Sequence, residues 1–175
     1  MQKRNLILFI AASLDGYIAT KEDSLDWLFA VEGEGDNGYS EFYETVDTVI
    51  MGKKTYDWVI DNIEEFPYQN KACYVFTRSD IKDTEHVQFV QGDIAHFTNK
   101  LKQQDGRNIW IVGGGELLSS FIEEQLIDEM ILTIAPVVIG NGIPLFKEGH
   151  NQTEFTLKRT RTFNQFVELH YEVKT

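Results

Sequence analysis

One cysteine, three prolines and a shortage of positive charge define this chain by what it lacks. The lone Cys73 excludes an internal disulfide and any multi-cysteine zinc site. Scarce proline, together with 13% aromatic and 42% hydrophobic residues, excludes a disordered chain and fits one globular domain over residues 1–175. Long apolar runs are missing too. Leu6 to Ala12 spans only seven residues and is followed by Ser13-Leu14-Asp15-Gly16. That run is too short to cross a bilayer and has no small-residue cleavage site, so it reads as a first strand and the protein as cytoplasmic. Sixteen Lys and Arg against 28 Asp and Glu give a net charge of −12, which argues against a nucleic-acid binder. An anionic cofactor is not excluded, because local groups such as Lys53, Lys54 and Arg78 decide that. His86, His96, His150 and His170 show no metal-ligand spacing and read as surface or packing residues, so no metal is expected. No Gly-x-Ser-x-Gly elbow is present.

What is there in quantity is glycine at strand ends. Thr48 to Met51 runs into Gly52-Lys53-Lys54-Thr55, and Ile109 to Val112 runs into Gly113-Gly114-Gly115-Glu116. A strand that breaks on glycine into a helix exposes backbone N–H groups and the positive end of a helix dipole, where phosphates bind. The G-x-G-x-x-G dinucleotide fingerprint is not met, because Leu118 stands at its third position. A P-loop is not met either, because its upstream glycine would fall at Asp47. Thr77-Arg78-Ser79, after a third apolar strand, offers two hydroxyls and a guanidinium, the chemistry that holds a phosphate monoester. Each turn alone has a plain structural explanation; three at strand ends of one sheet point to a dinucleotide. Asp15 and Glu116 are the candidate proton carriers. Asp26, Trp27 and Asp36 lie in a long loop, Ser13 to Asn37, with one helical turn expected near Leu25 to Phe29, where a substrate pocket could form.

The apolar patterning predicts helices over 39–46, 53–60, 93–104 and 115–124. It predicts strands over 6–12, 48–51, 72–76, 86–90, 108–112, 127–136, 155–162 and 166–173, the last three with no helix between them. An α/β front followed by antiparallel strands implies a mixed sheet with helices on its faces.

Taken together, these motifs resemble the dihydrofolate reductase superfamily, in the branch shared with the reductase domain of bifunctional riboflavin-biosynthesis proteins. Ala12 to Ala19 is similar to that branch's opening S-x-D-G motif, and Met51-Gly52-Lys53-Lys54-Thr55-Tyr56 to the M-G-R-x-T-[WY] cofactor loop. Val112-Gly113-Gly114-Gly115 resembles the family's glycine turn. Asp128-Glu129, Pro136, Gly140-Asn141-Gly142 and Pro144-Leu145-Phe146 resemble the D-E…P…G-x-G-x-P-L-F tail. The resemblance implies a three-layer α/β/α fold with a mixed, mostly parallel central sheet and antiparallel C-terminal strands. It implies NADPH held by Ala12, Gly52, Lys53, Lys54, Thr55, Thr77, Arg78, Ser79, Val112, Gly113, Gly114, Gly115, Glu116 and Leu117, with Asp15 and Glu116 on the substrate side. It further implies a homodimer through the late strands and a small heterocyclic substrate, the ribosylaminopyrimidine of riboflavin synthesis being the candidate. The alternatives are dihydrofolate reductase and a non-catalytic NADP-binding protein. Two departures stand out. The zinc deaminase half of the bifunctional proteins has no counterpart here, and Lys53 replaces the usual arginine. Asp36 has the spacing of a folate-reductase acid, but between Gly35 and Asn37 it reads as a helix cap.

Overall fold

Along β1 (Leu6–Ser13) alternate residues feed two different cores, which is the pattern of a strand covered on both faces. Leu6, Leu8 and Ala12 join one cluster, while Ile7 and Phe9 join the other. The computed structural model describes residues 3–175 and contains an eight-stranded sheet in the order β5-β4-β3-β6-β1-β7-β10-β9. Its parallel members are β1, β3 (Val46–Gly52), β4 (Ala72–Phe76), β5 (Gln88–Val90), β6 (Asn108–Gly113) and β7 (Glu129–Ala135). Antiparallel β9 (Phe155–Phe163) and β10 (Phe166–Val173) complete the far edge.

Of the three late strands, β7 is parallel to β1; β10 runs against the sheet, and β9, antiparallel to β10, lies beyond it at the edge. The reason is the helix before it. α5 (Gly115–Glu123) carries the chain back along the sheet, so β7 must restart in the same direction as β6. A tight turn at Asn164 and Gln165 then reverses β9 into β10, with Asn164 at φ +56°.

The crossovers explain the two cores. From β1 to β3 and β4 the chain steps toward the β5 edge, and from β5 to β6 to β7 it steps back. Right-handed connections place helices of opposite steps on opposite faces. Accordingly α2 (Tyr39–Glu44) and α3 (Lys53–Asn62) supply Phe42 and Val59 to one cluster, while α4 (Ile94–Lys102) and α5 supply Leu101, Leu118 and Phe121 to the other. Phe9 stacks on Phe42, and both meet Trp110 edge-on. Cys73 is buried in β4, where burial pushes its thiol up to about 12; it is a core residue.

The long loop after β1 carries the helical turn expected near Leu25 to Phe29 and, beyond expectation, a short strand. It contains β2 (Tyr17–Ala19) and the single turn α1 (Asp26–Phe29), and β2 pairs with β8 (Ile143–Pro144) outside the main sheet.

Candidate cofactor and active site

Four neighbouring strands, β4, β3, β6 and β1, end side by side on the residues singled out from the sequence. Thr77, Arg78 and Ser79 follow β4, and Gly52 closes β3. Gly113 closes β6, and Asp15 lies two residues beyond β1. Between β6 and β1 the direction of chain progression reverses, the crevice where open α/β sheets receive ligands.

The two glycine corners touch. A Cβ on Gly114, which has φ +102°, would lie 3.1 Å from Thr55 Oγ1 and 3.8 Å from the Gly52 Cα. A Cβ on Gly52 would lie 3.5 Å from the Leu117 Cβ, and one on Gly113 (φ +135°) 3.7 Å from Ile10 Cδ1. Bare backbone at both corners therefore lets α3 and α5 start against each other. Of the three helices of nine or more residues, α4 is capped by the Asp93 side chain, which accepts from the His96 N–H at 3.0 Å. α3 and α5 begin on Gly52 and Gly114 with no side-chain cap. Their first-turn N–H groups thus remain free to hold an anion, and these residues fit a pyrophosphate.

The remaining candidates vary in how free they are. The Lys53 ammonium is already paired with Asp57, whereas Lys54 is exposed. Arg78 is exposed, and its carbonyl accepts from Gln91 Nε2 at 3.1 Å. Thr77 Oγ1 accepts from the Ser79 N–H at 3.1 Å, which fixes that turn. The Ala12 side chain is buried in the core, so only its main chain can meet a ligand; Val112 and Leu117 are half-buried.

The candidate carboxylates differ in how their oxygens are engaged. Asp15 is exposed, and the Ser13 hydroxyl at 2.6 Å, outweighing partial burial with help from the Gly140 and Ile139 N–H groups, holds its carboxyl below the usual range. A proton relay at Asp15 would call for the opposite shift. Glu116 is exposed in the first turn of α5, and no ion pair ties its carboxylate among the described residues. Asp36 accepts from both the N–H and the hydroxyl of Ser40, which lowers its pKa and ties it to the start of α2. It is bound up as the cap that its neighbours imply, although Gly38 is the residue immediately before the helix. Asp26 is exposed at α1, and Trp27 donates from Nε1 to the Ser24 carbonyl at 3.2 Å.

A separate cavity of about 220 Å³ lies under α2, lined by Phe9, Phe42, Glu129, Arg161, Glu168 and His170 among others. Its charges satisfy one another: Arg161 pairs with Glu168 and Glu41, and Glu129 with Lys158 and His170. The sequence signal for it is the alternation Arg159-Thr160-Arg161 opposite Glu168-Leu169-His170 on paired strands. The other feature missed is the β2–β8 pair, signalled only by Gly140-Asn141-Gly142.

This open, doubly wound sheet, with two abutting glycine corners at its switch point, is a dihydrofolate-reductase-like fold. Residues 4–169 match the RibD C-terminal domain, and the chain belongs to that family. The uncharacterized protein YwjB of Bacillus subtilis (strain 168) is 55% identical over 170 residues, spanning 97% of this chain and 98% of that one. A protein of Shewanella sp. PV-4, provisionally assigned to riboflavin biosynthesis, is 31% identical with a TM-score of 0.89, covering 98% of this chain and 99% of that one. The dihydrofolate reductase of Enterococcus faecalis, solved with NADP(H) and RAB-propyl, shares the fold at a TM-score of 0.65 and 13% identity, with 98% and 97% of the two chains covered.

Proposed function

We propose that the protein is an NADPH-dependent reductase that transfers a hydride to a small heterocycle, with 5-amino-6-(5-phosphoribosylamino)uracil as the candidate substrate. The observation that carries this reading is the contact of the Gly52 and Gly114 corners, which presents two uncapped helix starts at one crevice. The nicotinamide, once bound, supplies the hydride. The chain's own contribution is to bind and orient. The first-turn N–H groups of α3 and α5 receive the pyrophosphate, Lys54 adds positive charge, and Thr77, Arg78 and Ser79 receive the adenosine-ribose phosphate. Glu116 is the carboxylate we place on the substrate side, because Asp15 is occupied by hydrogen bonds.

Asp36, committed to Ser40, disfavours dihydrofolate as substrate. A homodimer through the late strands is supported by Leu157 and Val167, which leave 53% and 40% of their surfaces exposed on β9 and β10. Membership of the RibD C-terminal domain family and the riboflavin assignment of the Shewanella relative support the pyrimidine. The test is a titration with NADPH followed by nicotinamide absorbance, with the ribosylaminopyrimidine and dihydrofolate offered separately. Oxidation with the pyrimidine alone is expected. Failure to bind NADPH at near-millimolar concentration would overturn the reading, and binding without turnover on either compound would leave a non-catalytic NADP-binding protein.

A further inference from the structure

Strands β2 and β8 form a small flap beside the α5 corner, held together by close backbone contact. A Cβ on Gly142 would lie 2.3 Å from the Ala19 carbonyl oxygen, so only glycine lets the two strands approach. The Leu145 N–H donates to the Gly16 carbonyl at 2.8 Å. The flap reaches the corner through one side chain: a Cβ on Gly115 would lie 3.0 Å from Ile143 Cγ2.

Asp15 ties the two sides of this flap to the end of β1. Its Oδ2 accepts from the Gly140 N–H at 2.8 Å, and its Oδ1 accepts from the Ile139 N–H at 3.2 Å and from the Ser13 hydroxyl at 2.6 Å. Consecutive N–H groups turned on one carboxylate make a small anion nest. The buried Ser13 Oγ in turn accepts from the Tyr17 N–H at 3.0 Å, at the start of β2. One carboxylate therefore connects the turn entering β2 with the loop entering β8, and the Leu14 N–H adds a bond to the Val137 carbonyl at 2.8 Å.

We propose that Asp15 is a positioning residue, whose carboxylate latches the β2–β8 flap so that Ile143 packs on Gly115 and sets the width of the cofactor crevice. Two oxygens accepting three hydrogen bonds leave the group poorly placed to exchange a proton with substrate, and well placed to order a loop. The consequence for the crevice rests on the cofactor reading above; the latch itself does not.

The experiment compares the wild-type protein with Asp15→Ala and Asp15→Asn, using backbone amide exchange, the Gly115 amide chemical shift and NADPH titration. Asp15→Ala is expected to speed exchange at Ile139 and Gly140 by about tenfold or more, while Ile109 and Ile111 in the central strand keep their rates. The Gly115 resonance moves and the NADPH Kd rises about tenfold, a loss of roughly 1.4 kcal/mol. Asp15→Asn, which keeps one acceptor oxygen, falls between the two and carries the test if the alanine variant does not fold. Native exchange rates and an unmoved Gly115 signal would overturn the latch. Loosened amides with an unchanged Gly115 signal or unchanged NADPH affinity would overturn its link to the crevice. A wild-type protein that takes up no NADPH sinks the cofactor reading alone, and the latch is then judged on exchange and the Gly115 signal.

Discussion

Gly114 stands so close to Thr55 that a single added carbon would lie 3.1 Å from its hydroxyl oxygen. This contact holds the starts of α3 and α5 against each other, and the arrangement depends on Gly52 and Gly114 staying bare. Gly114 also has φ +102°, a conformation that side chains with a Cβ rarely adopt. Gly114→Val is expected to destabilise the fold by about 1–3 kcal/mol through backbone strain alone. It should also push the α5 start away from Thr55 and weaken NADPH binding at least about tenfold. A urea melt beside an NADPH titration checks both. Wild-type affinity in a folded variant would remove this corner from the site.

Arg78 tests the third strand end. Its exposed guanidinium follows β4, next to β3 and its Gly52 corner. Arg78→Ala is expected to cut the preference for NADPH over NADH by about 1–3 kcal/mol, the scale of one charge-assisted contact, and to leave stability nearly unchanged. Paired titrations with the two cofactors read the difference. An unaltered preference would return Arg78 to the solvated surface.

How much of this was legible in the residues themselves depends on range. The glycine corners, the Thr77 to Ser79 turn and the buried β1 announce themselves through local composition, and each falls at a strand end where the pattern puts it. Helix α4 starts one residue later than the apolar period implies, because Asp93 is spent as its cap. What composition does not carry is pairing between distant segments. β2 and β8 are too short to show a period of two, and they are strands only because Gly142 can lie against Ala19. The direction of β7 is likewise a property of the α5 crossover and not of Glu129 to Ala135. Asp15 is visible as an acid after a buried strand, but its partners sit 124 and 125 residues away at Ile139 and Gly140.

Acid sensitivity should follow from Asp47. Burial alone would raise its pKa, but the Arg107 N–H, Thr48 and the Arg4 guanidinium together lower it. Arg4 is buried and donates to Asp47 Oδ1 at 2.6 Å. With the folded pKa below the unfolded value, the unfolded chain binds the proton first. The stabilisation is therefore complete above the unfolded pKa, the ordinary aspartate value of 3.8, and is lost as pH falls through the lower folded value. Asp47→Asn is expected to cost about 2 kcal/mol at neutral pH, because Arg4 keeps its other acceptors, and to flatten the acid limb of the stability curve. Urea midpoints measured from about pH 6 downward decide it. An acid limb as steep as in wild type would assign the sensitivity to other carboxylates.

The cavity under α2 makes the sharpest stability prediction. Glu168 is 1% exposed, and its carboxylate accepts from Arg161 Nε at 2.9 Å and from a second Arg161 nitrogen at 3.3 Å. Arg161 also donates to Glu41 on α2 at 2.9 Å, so one guanidinium fastens the helix to the β9–β10 edge. Arg161→Met keeps the length of the side chain and removes the charge. The buried Glu168 is then left with only Arg159, 3.8 Å away and half-exposed. A loss of about 3–5 kcal/mol is expected, the usual result of stranding one member of a buried pair. Replacing both residues, Arg161→Met with Glu168→Met, should recover most of that loss, because no charge remains to be stranded. A double-mutant cycle by urea melting gives the coupling. If the double variant is no more stable than Arg161→Met, the pair contributes through shape and not through charge, and α2 is held by its aromatic contacts with Phe9 and Trp110 instead.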